Sequence, residues 1–371
     1  MQKALFITNS IYVDLSKKEG GVRNCTQEFI NLIKVKFEVI VFKVDYDNNF
    51  LYKIRVRLGL NIYNDYKPQE YKSELIEIIK RNNPKFIFLN LSNTMTFSSI
   101  IKKINPEIKV VLCSHGNESG DYLHQSVKFI DLLSFFKRMT STYTLGALLK
   151  KESLFRQQYI DMVLSISEVE ENIEKWLGAK KVFMVPRTIL PDFKLIKSQL
   201  NKVGFIGDLS HTPNYTGIIS YCDQLSKLDH EIKFCIVGGP KEIGETIQSR
   251  YSFVYYKGFL EEKELLEEIS TWSYFLNLVF YYSRGVSTKL AKALGWGLPV
   301  LTTIEGNRGY KWQNGTLNVC NNAQQMALQT IEYAGDLNKI MNDQEEVINV
   351  VQSSPDFVEI MEELYPILLT C

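Results

Sequence analysis

Short apolar runs alternate along the first half of the chain with longer amphipathic stretches. The runs are rich in Val, Ile, Leu and Phe and lack apolar–polar alternation, which is typical of parallel strands covered on both faces. They predict strands at 4–8, 37–42, 86–91, 110–113 and 162–166. The stretches between them, in which apolar residues recur every three or four positions, predict helices at 27–35, 70–81 and 169–177.

The second half of the chain repeats this order of elements. Its apolar runs predict strands at 202–206, 233–237, 253–256, 274–280 and 300–303. Its amphipathic stretches predict helices at 214–228, 241–250, 263–270 and 288–296. Strands that alternate with helices indicate a doubly wound α/β fold, and two such series predict two Rossmann-like domains with parallel sheets.

Domain boundaries follow from where this pattern fades. Residues 186–200 carry two prolines and no clean period, so we interpret them as a linker between domains at 1–185 and 201–355. Residues 356–371 predict a C-terminal helix that could pack back on the first domain. Ligands of open α/β sheets bind outside the carboxyl ends of the strands, so we expect an active site in a cleft that the two domains face.

Composition narrows the class of protein. The chain of 371 residues is 45% hydrophobic and 23% charged, which is a normal globular balance, and its net charge of +1 gives no overall attraction to nucleic acid. The six cysteines are scattered without CxxC pairs, so neither zinc nor a disulfide framework is predicted. The first residues lack the features of a secretory signal, and no apolar run reaches the roughly 18 residues of a membrane span. We therefore expect a cytoplasmic protein.

The richest candidate site is the stretch 281–303, YYSRGVSTKLAKALGWGLPVLTT. Ser287 or Thr288 is a plausible N-cap for the helix predicted there. The amino end of a helix that leaves a parallel sheet offers free N–H groups that suit phosphate, and Lys289 and Arg284 add two cations. These features predict a phosphorylated ligand. The alternative is a strand–helix–strand unit whose lysines are only solvated.

This stretch resembles the donor-binding motif of GT-B glycosyltransferases, particularly family 4, the group 1 glycosyltransferases. The family pattern is K-x-x-E-A-x-x-x-G-x-P-V, and its matching residues here are Lys289, Ala293, Gly297, Pro299 and Val300. The resemblance implies the GT-B fold, in which two Rossmann-like domains face a cleft. It further implies that the N-terminal domain binds the acceptor and the C-terminal domain binds a nucleotide-sugar donor.

The resemblance extends over residues 1–330. It covers the turn after the first strand of the second domain, the loop expected to hold the nucleotide base, and a glycine pair near the amino terminus. Carried over position by position, it implies the donor-binding residues Gly20, Gly21, Gly207, Asp208, Asn214, Gly258, Phe259, Arg284, Ser287, Thr288 and Lys289. For the glycine pair, the alternative is an ordinary turn at 19–21 before a helix near Asn24.

His115 directly follows a predicted strand, at the sheet edge where sites form, and the family also presents a histidine there. It could hydrogen-bond the transferring sugar. Glu118 or Asp121, which we expect in a flexible loop, could act as the general base for an acceptor hydroxyl if the enzyme inverts. We therefore take His115 and Glu118 as candidate catalytic residues. The alternative is a polar loop with a capping Asp121.

Two charge reversals set this chain apart from the family. Arg284 and Lys292 stand where many family 4 enzymes have two glutamates seven residues apart. Cations cannot accept hydrogen bonds from sugar hydroxyls, although they can neutralise a diphosphate leaving group. Two alternatives to a transferase therefore stay open: a catalytically silent partner or chaperone of another transferase, and a nucleotide-sugar epimerase. Lys292 is also consistent with a solvated helix position.

Two basic-apolar stretches indicate peripheral contact with a membrane. In 50–63 basic residues alternate with apolar ones, a period that favours a strand over an interfacial helix. In 127–156 lysines and arginines are interspersed with Phe129, Leu132, Leu133, Phe135 and Phe136. The alternative is ordinary packing in which lysines reach the solvent.

The resemblance implies transfer of a hexose or related sugar from a UDP- or GDP-sugar to a saccharide acceptor, perhaps lipid-linked, in bacterial surface polysaccharide synthesis. It also implies retention of anomeric configuration, with neither a metal nor a further cofactor, because the phosphates would be held by Lys289, Arg284 and helix amino ends. The tripeptide at 45–47 spells D-x-D, a metal-binding pattern in other transferases, but we interpret it as a loop.

Overall fold

The computed structural model describes residues 1–14, 20–58, 60, 65–128, 134–282 and 284–371, except for the side chains of residues 125 and 128. The chain divides into two compact units. The first comprises residues 1–186, 283–285 and 356–371, and the second comprises residues 187–282 and 286–355.

The first unit is built on a sheet of six parallel strands. In chain order these are β1 (Gln2–Asn9), β2 (Phe37–Val44), β3 (Phe86–Asn90), β4 (Lys109–Cys113), β5 (Met162–Ser165) and β6 (Val182–Met184). Their order across the sheet is β2-β1-β3-β4-β5-β6. The helices of this unit are α1 (Gly21–Lys34), α2 (Phe50–Arg57), α3 (Lys72–Asn82), α4 (Ser98–Ile104), α5 (Glu118–Lys128), α6 (Phe135–Gln158), α7 (Glu168–Trp176) and the C-terminal α15 (Phe357–Leu369).

The second unit has a sheet of the same kind. Its strands are β7 (Lys202–Ile206), β8 (Lys233–Val237), β9 (Val254–Gly258), β10 (Tyr274–Leu276), β11 (Val300–Thr303) and β12 (Asn318–Cys320). Their order is β12-β11-β10-β7-β8-β9. Its helices are α8 (Thr212–Leu225), α9 (Lys241–Arg250), α10 (Glu262–Ile269), α11 (Thr288–Gly295), α12 (Ile304–Asn307), α13 (Ala323–Ala334) and α14 (Leu337–Gln352).

The prediction of two doubly wound α/β units with parallel sheets is confirmed. Several inner strands are buried along their whole length, as their unbroken apolar runs indicate: every residue of β3, β5 and β11 is buried. The short strands β6 and β12, of three residues each, lie at sheet edges and were not predicted. Their apolar runs are too short to stand out from loop sequence.

Two elements differ from the prediction. Residues Phe50–Arg57 form helix α2 and not a strand, because the side chain of Asn49 caps the helix by accepting a hydrogen bond from the Tyr52 amide. None of its residues is buried, so the alternation of basic and apolar residues does not reflect the two faces of a strand. Strand β10 ends at Leu276 and not at residue 280, because the Asn277 carbonyl accepts a local hydrogen bond from the Val279 amide.

The predicted linker has neither helix nor strand between residues 185 and 199. From Arg187 onward it belongs to the second unit, and its amides donate to backbone carbonyls of that unit. Arg187 bonds to Gly309, Asp192 to Gly295, Lys194 to Trp296 and Lys197 to Ser270. The segment is therefore an ordered edge of the second unit.

Each strand order reverses direction at one place, which locates the ligand-binding edge of each unit. In the first sheet the connections run to opposite sides from β1, so the reversal lies between β1 and β3. In the second sheet it lies between β7 and β10. Open α/β sheets bind ligands beside the carboxyl ends of the strands at such a point.

Candidate active site

In the second unit, the loops after β7 and β8 are held together through backbone groups. The Gly207 amide donates to the Val237 carbonyl at 3.0 Å. Gly238 has a φ of +130°, and a Cβ at this residue would lie 2.0 Å from the Gly207 carbonyl oxygen. Only glycine fits at 238, and its close approach fixes the turn that carries the predicted donor residues Gly207 and Asp208.

The opposite wall of this edge is the start of α11. Ser287 is its N-cap, as predicted, and its side chain accepts from the Leu290 amide at 3.4 Å. Thr288 is the first helical residue. The helix ends at Gly295, and Gly297, with a φ of +77°, is the left-handed residue that the sequence predicts after it; the Gly297 and Leu298 amides donate to the carbonyls of Leu294 and Ala293. The free amides of the first turn therefore lie at the carboxyl edge of the sheet.

Asn277, which sequence analysis did not single out, holds this wall in place. Its side chain is fully buried; Nδ2 donates to Thr302 Oγ1 at 2.9 Å and to the Gly306 carbonyl at 3.1 Å. Its Oδ1 accepts from Ser287 Oγ at 2.9 Å. One neutral amide thus connects the ends of β10 and β11 with the cap of α11. The sequence feature that could have revealed this role is a lone asparagine inside the apolar run 274–280.

Lys289 is a desolvated cation at the same edge. Its Nζ donates to Asn214 Oδ1 at 2.8 Å, and Asn214 Nδ2 donates to the Asp208 carbonyl at 2.7 Å. The Nζ also lies 5.6 Å from the centre of the Phe205 ring. Burial lowers the pKa of Lys289 to about 8, while the charge of Asp208 acts weakly in the other direction. Within the described chain no carboxylate oxygen lies within 4.0 Å of this amine, so an anionic ligand would supply the missing counter-charge.

The predicted base-binding loop follows β9. Gly258 has a φ of +71°, and its carbonyl accepts from the Gly238 amide at 2.8 Å. Phe259 is 72% exposed, which is unusual for a phenylalanine. Gly207, Asp208, Asn214, Gly258, Ser287, Thr288 and Lys289 are therefore brought to one edge of the second unit.

In the first unit, His115 lies at the carboxyl end of β4 and is 95% buried. Its Nε2 is 2.8 Å from Asn90 Oδ1, and Asn90 Nδ2 donates to Thr8 Oγ1 and Thr26 Oγ1 at 2.8 and 2.9 Å. The imidazole is thus tied to the ends of β1 and β3 and to α1, at the reversal point of this sheet. Phe29 lies beside it, with ring centres 5.5 Å apart.

The sequence predicts a flexible loop at Glu118, and this prediction is wrong. Glu118 is the first residue of α5 and only 7% exposed. Its Oε1 lies 3.7 Å from Nη1 of Arg284, which belongs to the same unit. Burial raises the pKa of Glu118 to about 7; Glu152 and Asp65 raise it further, whereas Arg284 and Lys151 oppose the shift. A carboxyl group that titrates near neutrality is suited to proton transfer or to hydrogen bonding with hydroxyls.

Sequence analysis missed the buried charges behind this loop. Glu152 is 2% exposed and accepts from Asn117 Nδ2, the Glu118 amide and Ser119 Oγ, so it caps the start of α5. Arg156, fully buried, pairs with the buried Glu174 through two nitrogens, and the Arg156 Nη2 to Glu174 Oε1 distance is 2.8 Å. The i,i+4 spacing of a glutamate and an arginine on α6 is too common on exposed helices to have revealed these buried positions.

Four other residues singled out by the sequence are less constrained. Gly20 is the exposed N-cap of α1, Gly21 is its first residue, and a Cβ at Gly20 would meet nothing within 4 Å. The preceding residues 15–19 of the predicted glycine loop lie outside the described residues. Lys292, at the family's glutamate position, is exposed on α11 with its Nζ 5.9 Å from the Trp296 ring centre, as a solvated helix residue would be. Asp121 is partly buried in the first turn of α5.

The described residues contain no group of three or more His, Cys, Asp or Glu side chains arranged to hold a metal ion. None of the helices in this part of the chain has the length and apolar character needed to cross a membrane.

Comparison with known proteins agrees with this architecture. Residues 201–336, somewhat over a third of the chain, match the model of the family described as Glycosyl transferases group 1. A search of curated protein sequences finds no match.

Solved structures resemble the whole chain. HepE of Anabaena, solved with UDP and glucose, is 14% identical with a TM-score of 0.61. Sucrose-phosphate synthase of Thermosynechococcus elongatus is 14% identical with a TM-score of 0.68. The lipopolysaccharide outer core galactosyltransferase WaaB is 11% identical with a TM-score of 0.61, and in all three pairs both chains are covered completely. At such identity the likeness shows the fold. The second unit therefore matches the Glycosyl transferases group 1 family model over residues 201–336, and the whole chain shares the GT-B fold of these solved structures.

Proposed function

We propose that the protein transfers a sugar from a UDP- or GDP-sugar to a saccharide acceptor. The observation that carries this proposal is Lys289, a desolvated cation without a carboxylate partner in the described chain, beside the amino end of α11. Helix amino ends and buried cations both favour phosphate, and a nucleotide sugar carries two phosphates next to the sugar. Similarity to HepE, a protein solved with UDP-glucose, supports the same ligand class.

The remaining donor residues suit the other parts of a nucleotide sugar. The exposed ring of Phe259 offers a face on which a base can stack, and the Gly258 turn presents backbone groups beside it. The glycine turn at Gly207 lets a ligand approach the backbone closely. In this proposal the phosphates are held by Lys289 and helix amides, so that neither a metal nor a further cofactor takes part.

The chemical step breaks the bond between the anomeric carbon and the diphosphate oxygen and forms a bond from that carbon to an acceptor hydroxyl oxygen. The electron pair of the broken bond leaves with the nucleoside diphosphate. Family resemblance favours retention, in which the acceptor proton passes to the departing diphosphate while carboxylate Glu118 and His115 hydrogen-bond to sugar hydroxyls. In an inverting reaction Glu118 would instead take the proton. The anomeric configuration of the product, read by NMR, separates the two.

We further propose that the acceptor is lipid-linked, and that the protein is a cytoplasmic enzyme of surface polysaccharide synthesis that associates with the membrane. An exposed surface of the first unit supports this proposal. The described part of this surface includes Phe135, Met139 and Tyr143 on α6, which are 70%, 70% and 68% exposed, with Arg138 among them. Exposed rings beside basic residues suit an anionic lipid surface. Phe129, Leu132 and Leu133 of the predicted stretch, and residues 59 and 61–64 of the other, lie outside the described residues. Binding of Phe135→Ser/Met139→Ser to vesicles with and without anionic lipid would test this surface, and unchanged binding would contradict it.

The decisive experiment measures nucleotide binding. Calorimetry with UDP, GDP, UDP-glucose and GDP-mannose should find at least one ligand whose affinity falls about tenfold to a hundredfold in Lys289→Met, because a charge-assisted contact to phosphate contributes about 1.5–3 kcal/mol. Lys292→Met is the matched control on the same helix and should change affinity less than twofold. Equal losses in both variants would contradict the assignment of Lys289 to the phosphates.

Turnover separates the three function classes left open by the sequence. Incubated with the nucleotide sugar that binds, a transferase slowly releases nucleoside diphosphate even without an acceptor. An epimerase changes the sugar without transferring it, and a silent partner binds no donor. The charge reversal at Arg284 supports the catalytically silent partner. Arg284 stands where the family has a glutamate, and this cation faces Glu118. Absence of all turnover with every donor would overturn the proposed activity.

A further inference from the structure

The first unit contains a cavity of about 370 Å³ that the candidate catalytic residues do not line. It lies beside the carboxyl end of β2, between α2 and α6. Its lining residues are Asp47, Asn49, Leu51, Tyr52, Arg55, Asp65, Tyr66, Thr96 and Lys151. Cavities of this volume are large enough for one sugar residue or a similar small molecule.

The lining is rich in hydrogen-bonding groups, but its carboxylates already have cationic partners. Lys151 Nζ lies 2.6 Å from Asp65 Oδ1, and Lys67 Nζ lies 3.3 Å from Asp47 Oδ1. Asn49 also donates to both carboxylate oxygens of Asp47. A ligand here therefore meets balanced charges together with donors and acceptors in several directions, and a charged ligand would gain little.

Aromatic residues provide the other half of the lining. Tyr66 is buried, and Tyr52 of α2 is half-buried; both line the cavity. Each sugar ring presents apolar C–H groups as well as hydroxyls, so a wall of tyrosine next to paired carboxylates suits an uncharged saccharide.

The cavity adjoins the candidate catalytic carboxylate. Tyr66 lies against Tyr46, with ring centres 4.8 Å apart, and the hydroxyl of Tyr46 is 2.7 Å from that of Tyr12. Tyr12 in turn is close enough to Glu118 for that carboxylate to raise its pKa. Two lining residues, Asp65 and Lys151, also contribute to the pKa of Glu118, so charges that line the cavity act on this carboxylate.

We propose that this cavity binds the acceptor, as an uncharged sugar residue whose hydroxyls face Asp47, Asp65 and Arg55. The proposal rests on the proposed transferase function, since only a transferase needs an acceptor. It assigns the selection of the acceptor to α2 and to Asp65 and Tyr66, separately from the donor residues of the second unit.

Arg55 offers a clean test because Arg57, two residues further on the same helix, is also exposed and does not line the cavity. Hydrogen exchange would be followed with maltose, cellobiose, lactose and chitobiose, each at high concentration. We expect at least one of them to protect amides of α2 and of the segment around Tyr66. Its affinity should fall about tenfold in Arg55→Ala and less than twofold in Arg57→Ala. If no sugar protects these segments, or if both variants bind it equally well, the cavity is not the acceptor site.

Two further measurements separate this proposal from its alternatives. Pyrophosphate should not displace the sugar; displacement would mean that the cavity selects phosphate and would overturn an uncharged ligand. UDP binding should be unchanged in Arg55→Ala, whereas Lys289→Met should lose UDP binding and keep sugar binding. If Arg55→Ala leaves both sugar binding and UDP binding unchanged, only the cavity assignment is overturned; if the unaltered protein binds neither UDP nor GDP, the donor proposal is overturned.

Discussion

The two units support their candidate site loops by different means. In the first unit, the loop after β4 rests on buried charges: Arg156 pairs with Glu174, and Ser114 donates to the same carboxylate at 2.8 Å. In the second unit, the loops after β7 and β10 rest on neutral groups, namely the Asn277 amide and the close backbone approach of Gly238.

The two sites also differ in the titratable group that each contains. In the first unit the buried cation is used internally, and Glu118 is a carboxyl group whose pKa burial raises to about 7. In the second unit, burial lowers the pKa of Lys289 to about 8. A neutral hydroxyl suits the first group and an anion suits the second. The two units therefore offer a ligand groups of different electrostatic character.

The largest loss of stability is expected in the first unit, where a buried ion pair supports the site loop. Arg156→Leu leaves the Glu174 charge buried without its partner and should destabilise the first unit by about 3–5 kcal/mol. Hydrogen exchange of β4 and α7 amides would report on this unit separately from the second. The exposed pair Lys175–Glu171 supplies the control, since Lys175→Ala should change stability by less than about 1 kcal/mol.

The double variant Arg156→Leu/Glu174→Leu sharpens the same comparison. Removing both charges should restore much of the lost stability, because the cost arises from an unpaired buried charge. If the double variant is as unstable as the single one, shape and packing support the loop, and the contrast with the second unit disappears.

The second unit should be most sensitive at its backbone contact. Gly238→Ala forces an unfavourable φ of +130° and places a methyl group 2.0 Å from the Gly207 carbonyl oxygen, so we expect a loss of about 3 kcal/mol or a displaced turn. Gly239→Ala is the neighbouring control, because a Cβ there meets nothing within 4 Å. Nucleotide affinity and melting temperature, measured for both variants, should fall only for Gly238→Ala.

A smaller loss of stability is expected at Asn277, the neutral side chain that holds the start of α11. Asn277→Ala removes hydrogen bonds to Thr302, Gly306 and Ser287 and should cost about 2 kcal/mol. Since Ser287 caps α11, nucleotide affinity should fall as well. Tyr274→Phe removes a buried hydrogen bond at the other end of β10, to Asp343, and should reduce stability while leaving nucleotide affinity unchanged. Equal affinities for both variants would show that Asn277 does not position the helix.

Most of the fold could be predicted from the sequence because buried parallel strands leave an apolar signature that no other element shares. Strands β8 and β11 begin and end where the apolar runs do. The prediction was wrong at two asparagines because of local hydrogen bonds: the Asn49 side chain begins a helix, and the Asn277 backbone carbonyl ends a strand. Such choices depend on one amide finding one partner, which periodicity does not encode.

The candidate site divides in the same way. Residues that act through backbone position, such as Gly207 and Ser287, could be located from glycine and cap patterns. The buried state of Glu118 could not, because it depends on Glu152, 34 residues away along the chain, whose carboxylate caps the start of α5. Burial of a charged residue is a tertiary property, so its altered pKa is visible only once the elements are packed.

The smallest expected effect, and the one that compares both units in a single measurement, is the pH dependence of turnover. The Lys289 ammonium is lost as the pH rises through about 8, so donor affinity should fall by up to tenfold per pH unit above it. The Glu118 carboxylate, which faces Arg284, Glu152, Lys151, Asp65 and Tyr12, is lost as the pH falls through about 7. The rate at low donor concentration should therefore pass through a maximum between about 7 and 8.

The acid limb and the alkaline limb of this pH profile, on which the rate declines, each arise from a group in one unit. A single substitution should therefore abolish one limb and keep the other. Glu118→Gln should abolish the decline on the acid side and keep the alkaline one, because the Lys289 amine is unchanged. Lys289→Met should do the opposite. A UDP-sugar is the suitable donor, since its phosphates, unlike the terminal phosphate of UDP, do not titrate near neutrality. If both variants keep both limbs, the titrating groups lie elsewhere; if either variant removes both limbs together, the two groups titrate as a coupled pair, and the separate electrostatic character of the two units is wrong.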